Sequence, residues 1–446
     1  MGFRLAKNRS VAASRPLLAF FDVLFGLLLP IPIFIQVQGG FGLYSDAFES
    51  TGLSLPVAFF LLPIAVAIGL THFVRHKTLQ SVHSVSLALL ISWWVFLALF
   101  TSLQNPMALL YAAQWSAPPL MVLYAASLVQ NQERLQRFLI AFGSGVWLSL
   151  LLLLSLAGYE YFLMDTFDGR MTQNAVFPGM YQLYNYVPEG LVISGLFCAF
   201  LRAHRGENIF GLPLLLLCLC LFVPLVTGAR GPLLVTLICG VYFVYRFSSL
   251  HRFLVILMAA PVALLVVFQL MPSDSFLLVD KFSSIGSSNE YGGLAGNRDV
   301  MASLYWRIYE QEPFIGTGML PPDLAFPELG IDVKSAHNYY LDSLAWGGPI
   351  ALLGILLLPI FILCEALLGM ALSTGKENYV LTNVFCAALP PALAMLLVSS
   401  LLRVPLREPY SGPIGFLMLG FVLAGGFQIR RSQAHRTGLS HRGSAR

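Results

Sequence analysis

Charge is the scarcest ingredient of this 446-residue chain: Asp, Glu, Lys and Arg make up only 11% of it against 57% hydrophobic residues, with a mean hydropathy of +0.76. A soluble domain carries about 25% charged residues because its surface meets water. Less than half that proportion leaves most of this surface facing lipid. A soluble enzyme, a secreted disulfide scaffold, a nucleic-acid binder and a disordered chain are all excluded. Cysteine is sparse as well, and all six (Cys198, Cys218, Cys220, Cys239, Cys364, Cys386) fall inside apolar runs. No thiol pair is offered outside the membrane, and Cys218-x-Cys220 has neither redox CxxC spacing nor partner ligands for zinc. These cysteines read as small buried hydrophobes. No internal repeat is present.

What the chain has in abundance is apolar runs near 20 residues, each long enough to cross about 30 Å of hydrocarbon. Twelve are predicted, at 17–38, 53–74, 82–103, 108–130, 138–157, 188–201, 209–227, 232–246, 253–271, 347–369, 379–402 and 412–430. The short runs 188–201 and 232–246 are expected to extend into their flanks, since Tyr184 to Val187 and Gly228 to Gly231 are mostly uncharged. The first run follows Arg4, Lys7, Arg9 and Arg15 and lacks a small-residue cleavage site soon after it, so it reads as a retained helix. The fold class is therefore an all-α polytopic membrane protein of about twelve transmembrane helices.

Lys and Arg set the orientation. Of the 26, 18 fall on the termini and one alternating set of loops, and that set is cytoplasmic by the positive-inside rule. Both termini are then inside, and the large loop between helices nine and ten is outside. The expected organisation is helices one to nine over 1–271, a loop subdomain over 272–346, helices ten to twelve over 347–430, and a basic cytoplasmic tail over 431–446. Within the loop subdomain, Ser283 to Asn297 is polar and glycine-rich, Arg298 to Glu312 looks helical, and a second helix is expected to start near Ser335, a plausible N-cap.

Seven histidines (His72, His76, His83, His204, His251, His435, His441) fall at cytoplasmic ends and read as additions to the inside charge. His337 is the eighth. It lies in Lys334-Ser-Ala-His-Asn-Tyr-Tyr-Leu-Asp342, just above a span, where a side chain that titrates near neutral pH can serve as a general base. The outer basic residues are six arginines (Arg170, Arg230, Arg298, Arg307, Arg403, Arg407) and two lysines (Lys281, Lys334). Arginine's planar fork of donors suits phosphate oxygens. Arg230 stands out because Thr227-Gly-Ala-Arg-Gly-Pro232 interrupts two apolar spans, so its charge is either paired, ligand-binding or snorkelling to headgroups. Arg307 shares a helical segment with Glu310 and Glu312 and fits simple helix pairs as well. Arg403 and Arg407 read as a short solvated loop with Glu408. Asp46 with Glu49, and Asp165 with Asp168, are the outer carboxylate pairs available to a cation, but neither has a supporting polar framework. The reading is a metal-independent site without a cofactor.

In order and spacing these residues resemble the O-antigen ligase and O-antigen polymerase superfamily: Arg230-Gly231 at a span junction, Arg298 opening an outer helix, Glu312-Pro-Phe-Ile-Gly-Thr-Gly318, and His337-Asn-Tyr-Tyr-Leu341 before Gly347-Gly-Pro-Ile350. The resemblance covers roughly residues 210–370 and is nearest to the lipopolysaccharide O-antigen ligases. It implies a GT-C-like architecture in the bacterial inner membrane and an inverting glycosyltransferase acting at the periplasmic face. The implied donor is a glycan on undecaprenyl pyrophosphate, and the implied acceptor is the lipid A-core oligosaccharide, or another lipid-linked repeat unit in a polymerase. It makes His337 the base and Arg230 and Arg298 the pyrophosphate ligands, with Arg170 a looser match. The family places a tryptophan about one helical turn after its loop arginine; here Trp306 is eight residues after Arg298, which makes Arg307 the alternative. Asn338 or Asp342 would fix the His337 tautomer, and Tyr339 would support them. Two lipid-anchored substrates also call for one cavity, open to bilayer and periplasm, that holds His337 and the arginines.

A lipid-linked oligosaccharide transporter is the competing class. It needs ionisable groups near the bilayer midplane. Asp22 and Glu365 fall toward cytoplasmic ends and Glu189 near an outer end, which favours surface chemistry over passage.

Overall fold

A computed structural model describes residues 16–37, 53–76, 78–159, 187–227, 229–249, 298–327, 335–372, 379–408 and 410–436. The helices are α1 (Pro16–Leu28), α2 (Leu62–Arg75), α3 (Ser81–Ser102), α4 (Met107–Ser116), α5 (Met121–Val129), α6 (Gln132–Tyr159), α7 (Val187–His204), α8 (Leu212–Thr227), α9 (Arg230–Phe247), α10 (Arg298–Gln311), α11 (Tyr339–Leu372), α12 (Tyr379–Leu402) and α13 (Ser411–Arg436). Among the described residues eight helical stretches are long and apolar enough to cross a membrane: Val57–Arg75, Ser81–Ser102, Gln132–Ser155, Val187–His204, Arg230–Phe247, Tyr339–Gly369, Tyr379–Leu402 and Ser411–Gln433. As expected, the two short runs extend, to Val187–His204 and Arg230–Phe247. The predicted span 253–271 and the stretch Ser283 to Asn297 lie outside the described residues.

Two expected spans are reshaped by proline. The run 17–38 is helical only to Leu28, because Pro30 and Pro32 cannot continue the ladder. Phe34–Val37 instead pairs antiparallel with Leu53–Pro56, Phe34 opposite Pro56, a small ribbon in the otherwise helical described residues. The run 108–130 is split between α4 and α5 at Pro118-Pro119, where two backbone N–H groups are missing.

Burial sorts the helices into inner and outer ones. In α7 and α13, 89% of the spanning window is buried, and both pack on each other and on α12. α3 and α9 instead present Leu89, Phe96, Leu99, Phe100, Leu234, Ile238 and Val241 outward, the apolar surface a lipid-facing helix needs.

Charges inside the bundle are paired. Arg134 grips Asp22 through Nε–Oδ2 at 2.7 Å and Nη2–Oδ1 at 2.9 Å, and Tyr124 donates its hydroxyl to Asp22 Oδ1 at 2.8 Å. Arg134 Nη1 also lies 3.3 Å from His72 Nε2. Arg430 holds Glu365 with both terminal nitrogens, and His83 Nε2 stands 3.7 Å from the same carboxylate. His72 and His83 thus belong to specific polar clusters and are more than additions to the inside charge. A buried charge costs several kcal/mol unless it is paired, and helix ends meeting inside the bundle are where such pairs form.

Candidate functional site

His337 sits on the turn that enters α11, exposed and in the left-handed region with φ 53°. Few non-glycine residues adopt that conformation, although histidine tolerates it better than most. The turn is held from both sides. Behind His337, Ser335 Oγ accepts its backbone N–H at 3.0 Å and donates to Asp342 Oδ2 at 2.8 Å, while the Ala336 N–H donates to Asp342 Oδ1 at 2.7 Å. Ahead of it, Asn338 Oδ1 accepts the N–H groups of Tyr340 at 3.0 Å and Leu341 at 3.1 Å. The N-cap of α11 is therefore Asn338, not Ser335. Through these oxygens Asp342 and Asn338 hold the Ser335 hydroxyl and the backbone N–H groups around the histidine, and so secure the turn. Tyr339 is buried and stacked on Trp115 with ring centroids 5.6 Å apart, and Tyr340 anchors α11 by donating its hydroxyl to the Leu396 carbonyl at 2.7 Å. Leu396 lies in a π-helical stretch, Met395–Ser399, a local widening frequent at functional sites.

The glycine motifs on either side of His337 turn out to be one clasp. α11 is broken at Gly348 (φ 70°, ψ −170°), so its first nine residues form a separate short helix. Breaking a helix frees carbonyls that lipid cannot satisfy. Here the Ala345 carbonyl accepts Thr317 N–H at 2.8 Å, that of Trp346 accepts Met319 N–H at 3.1 Å, and that of Gly347 accepts the Trp93 indole N–H at 2.7 Å. The approach is so close that a Cβ on Gly316 would stand 2.1 Å from the Ala345 oxygen, and one on Gly348 2.1 Å from the Phe314 oxygen. Gly316-Thr-Gly318 and Gly347-Gly348 thus fix the height of the His337 turn.

Arg230 is the first residue of α9, half-buried, after Ala229 breaks the chain from α8 with an extended backbone. Gly231 permits a close neighbour: a Cβ there would lie 3.0 Å from Glu189 Oε1 and 3.5 Å from Ser399 Oγ. Glu189 is 1% exposed, accepts the Ser399 hydroxyl at 2.7 Å, and faces Arg403 Nη1 at 3.6 Å. A carboxylate at this place also complements the positive end of α9. Arg407 Nη1 donates to Asp342 Oδ2 at 3.2 Å, with its guanidinium 4.8 Å from the Trp346 ring centre and 5.5 Å from that of Trp115. With side chains only 16% and 12% exposed, Arg403 and Arg407 are not the solvated pair read from sequence, and Glu408 beside them is buried. Burial raises the Glu408 carboxyl well above its usual 4.5, and the neighbouring Glu189 adds to the shift while Arg403 and Arg407 oppose it. The missed signal was two arginines four residues apart on either side of Pro405, between two apolar spans, with a carboxylate following.

The other predicted residues divide. Arg298 opens α10 as expected, and α10 packs on α11 through a face that buries Tyr305 and Ile308. Arg307 and Trp306 are on its exposed side. Arg170, Asp46, Glu49, Asp165, Asp168, Lys281 and Lys334 lie outside the described residues. The described residues bring His337, through Asp342, and Arg230, through Glu189, to the same α12–α13 connection. A cavity of about 470 Å³, lined by residues including His76, Gln130, Gln132, Gln428 and Arg431, opens at the far end of the bundle and is not the predicted substrate cavity.

Residues 214–356 match the O-antigen ligase family, a stretch running from α8 through Arg230, α10 and the His337 turn into α11. No curated protein matches the chain.

Proposed function

We propose that this chain, a member of the O-antigen ligase superfamily, transfers a glycan from undecaprenyl pyrophosphate to lipid A-core oligosaccharide at the periplasmic face of the bacterial inner membrane. The observation that carries the reading is His337 itself: an exposed histidine held in a left-handed turn by Ser335, Asp342 and Asn338, inside the family-matched stretch. A base must be aimed before it is useful, and this turn is braced on both sides.

Inverting transfer needs the acceptor hydroxyl to attack the anomeric carbon opposite the departing pyrophosphate. His337 takes or orients the hydroxyl proton as the new glycosidic bond forms. The bond from the anomeric carbon to the pyrophosphate oxygen breaks, and Arg230 and Arg298 stabilise the charge that grows there. Arg170 is a further candidate for the same anion. Arg307, on the exposed side of α10, is the alternative to Arg298 as a ligand of the pyrophosphate. Arginine neutralises the pyrophosphate without a metal ion, and its fork matches paired phosphate oxygens.

The test supplies purified full-length protein with one lipid-linked glycan donor and either lipid A-core or a second donor molecule. Glycan joined to lipid A-core supports the ligase. Extension of the second donor identifies a polymerase, and translocation across vesicles without transfer identifies a transporter.

A further inference from the structure

Two ion pairs, each on a buried carboxylate, leave one five-residue connection and end on the two halves of the proposed site. Arg407 reaches Asp342, whose oxygens hold Ser335 and Ala336, the two residues before His337. Arg403 reaches Glu189, which lies against Gly231, the residue after Arg230. The connection itself is tied down. Arg403 N–H donates to the Ser399 carbonyl at 2.8 Å, Arg407 N–H to that of Val404 at 3.1 Å, and the Ser411 hydroxyl to that of Pro405 at 2.6 Å. Arg407 is further fixed in direction between the Trp346 and Trp115 rings.

Each guanidinium thus faces a carboxylate that is at most 1% exposed. An arginine reserved for substrate phosphate would not be opposed by a buried acid that also holds a neighbouring hydroxyl, as Asp342 holds Ser335 and Glu189 holds Ser399. Nor do such pairs add much stability, because desolvation offsets most of their attraction; geometric specificity is their better-attested use. We infer that residues 403–407 form a brace that registers the two halves of the site. Arg407 is a positioning residue for the His337 turn, acting through Asp342, and Arg403 is a positioning residue for the start of α9 and Arg230, acting through Glu189. The inference rests on the proposed reading of His337 as base and Arg230 as pyrophosphate ligand.

Hydrogen–deuterium exchange on the full-length protein in lipid nanodiscs tests the brace without reference to the reaction. Arg407→Gln should speed exchange over 335–341 and leave 229–235 unchanged, and Arg403→Gln should do the reverse. Unchanged exchange over 335–341 in Arg407→Gln overturns the brace.

Steady-state transfer from undecaprenyl-pyrophosphate-linked glycan to lipid A-core tests its consequence. Arg407→Gln should lower kcat roughly 10- to 100-fold, the cost of a misplaced group, with donor KM held within about twofold. Arg407→Lys should recover part of the loss, and Arg407→Gln combined with Asp342→Asn should be no worse than the poorer single variant. Arg403→Gln should raise donor KM only through Glu189, so Arg403→Gln combined with Glu189→Gln should raise it no further than the poorer single variant, and an additive rise would make Arg403 a donor ligand. A higher donor KM with unchanged kcat in Arg407→Gln would make that arginine a donor ligand and overturn the inference, as would lower abundance with normal turnover per folded molecule. Should His337→Ala retain full activity while the exchange pattern holds, the base assignment fails and the brace stands.

Discussion

One hydroxyl joins Asp342 to His337: Ser335 Oγ donates to Asp342 Oδ2 at 2.8 Å and accepts the His337 N–H at 3.0 Å. A left-handed histidine is thereby tied to a fully buried carboxylate seven residues from the tying serine. Ser335→Ala leaves the His337 amide and one Asp342 oxygen short of a partner, at about 1–3 kcal/mol. Loosening of the turn should lower glycan transfer roughly tenfold or more, and Ser335→Thr, which keeps the hydroxyl, should retain most of it. Turnover per folded molecule decides the comparison.

The clasp around Gly348 sets a second expectation. Gly348→Ala places a Cβ 2.1 Å from the Phe314 carbonyl oxygen at φ 70°, so backbone must move. The left-handed strain alone costs about 1–3 kcal/mol, and thermal unfolding in detergent should show a clear fall in Tm. Gly143→Ala is the control. Nothing lies within 4 Å of a Cβ there, within α6, and the change should be neutral or stabilising by about 1 kcal/mol or less.

The Asp22–Arg134 pair should matter for folding and not for chemistry. Asp22→Ala leaves a guanidinium that is 2% exposed without its carboxylate, a loss of about 3–5 kcal/mol. The double variant Asp22→Ala/Arg134→Met removes both charges and should recover part of that loss. Tm checks both, while turnover per folded molecule should stay near the parent value, since Asp22 and Arg134 partner Tyr124 and His72 and not the residues that hold the His337 turn.

Glu408 gives the protein a pH-dependent stability. Its carboxyl is raised above 4.5 in the folded state, chiefly by burial, so the folded chain binds the proton more tightly than the unfolded one. The stability it contributes is complete below about 4.5 and is lost as pH climbs through the raised value. Glu408→Gln carries no titrating proton, so its Tm should decline less between acid and neutral pH than the parent's. A parallel decline in both proteins would contradict this.

Much of the architecture was legible because lipid imposes simple rules. Spans at Ser81–Ser102 and Ser411–Gln433, the chain break at Arg230 and the helix opening at Arg298 all follow from apolar length, turn residues and charge placement. The errors share a cause: local reading cannot see a distant partner. Arg403, Arg407 and Glu408 look like surface until Glu189 and Asp342 arrive from elsewhere in the chain. Ser335 looks like a cap until Asp342 claims its hydroxyl and Asn338 takes the capping role. His72 and His83 look idle until Arg134 and Glu365 meet them. The two glycine motifs were visible as punctuation, but that one clasps the other is a fact of three dimensions.

The central claim is that His337 moves the acceptor proton, and His337→Ala in the reconstituted transfer assay tests it most directly. General-base catalysis contributes about 10²–10⁴-fold, so the variant should lose on the order of 3–5 kcal/mol of transition-state stabilisation while keeping normal abundance and Tm. Near-parental turnover by that folded variant, with the same donor and lipid A-core, would contradict the account.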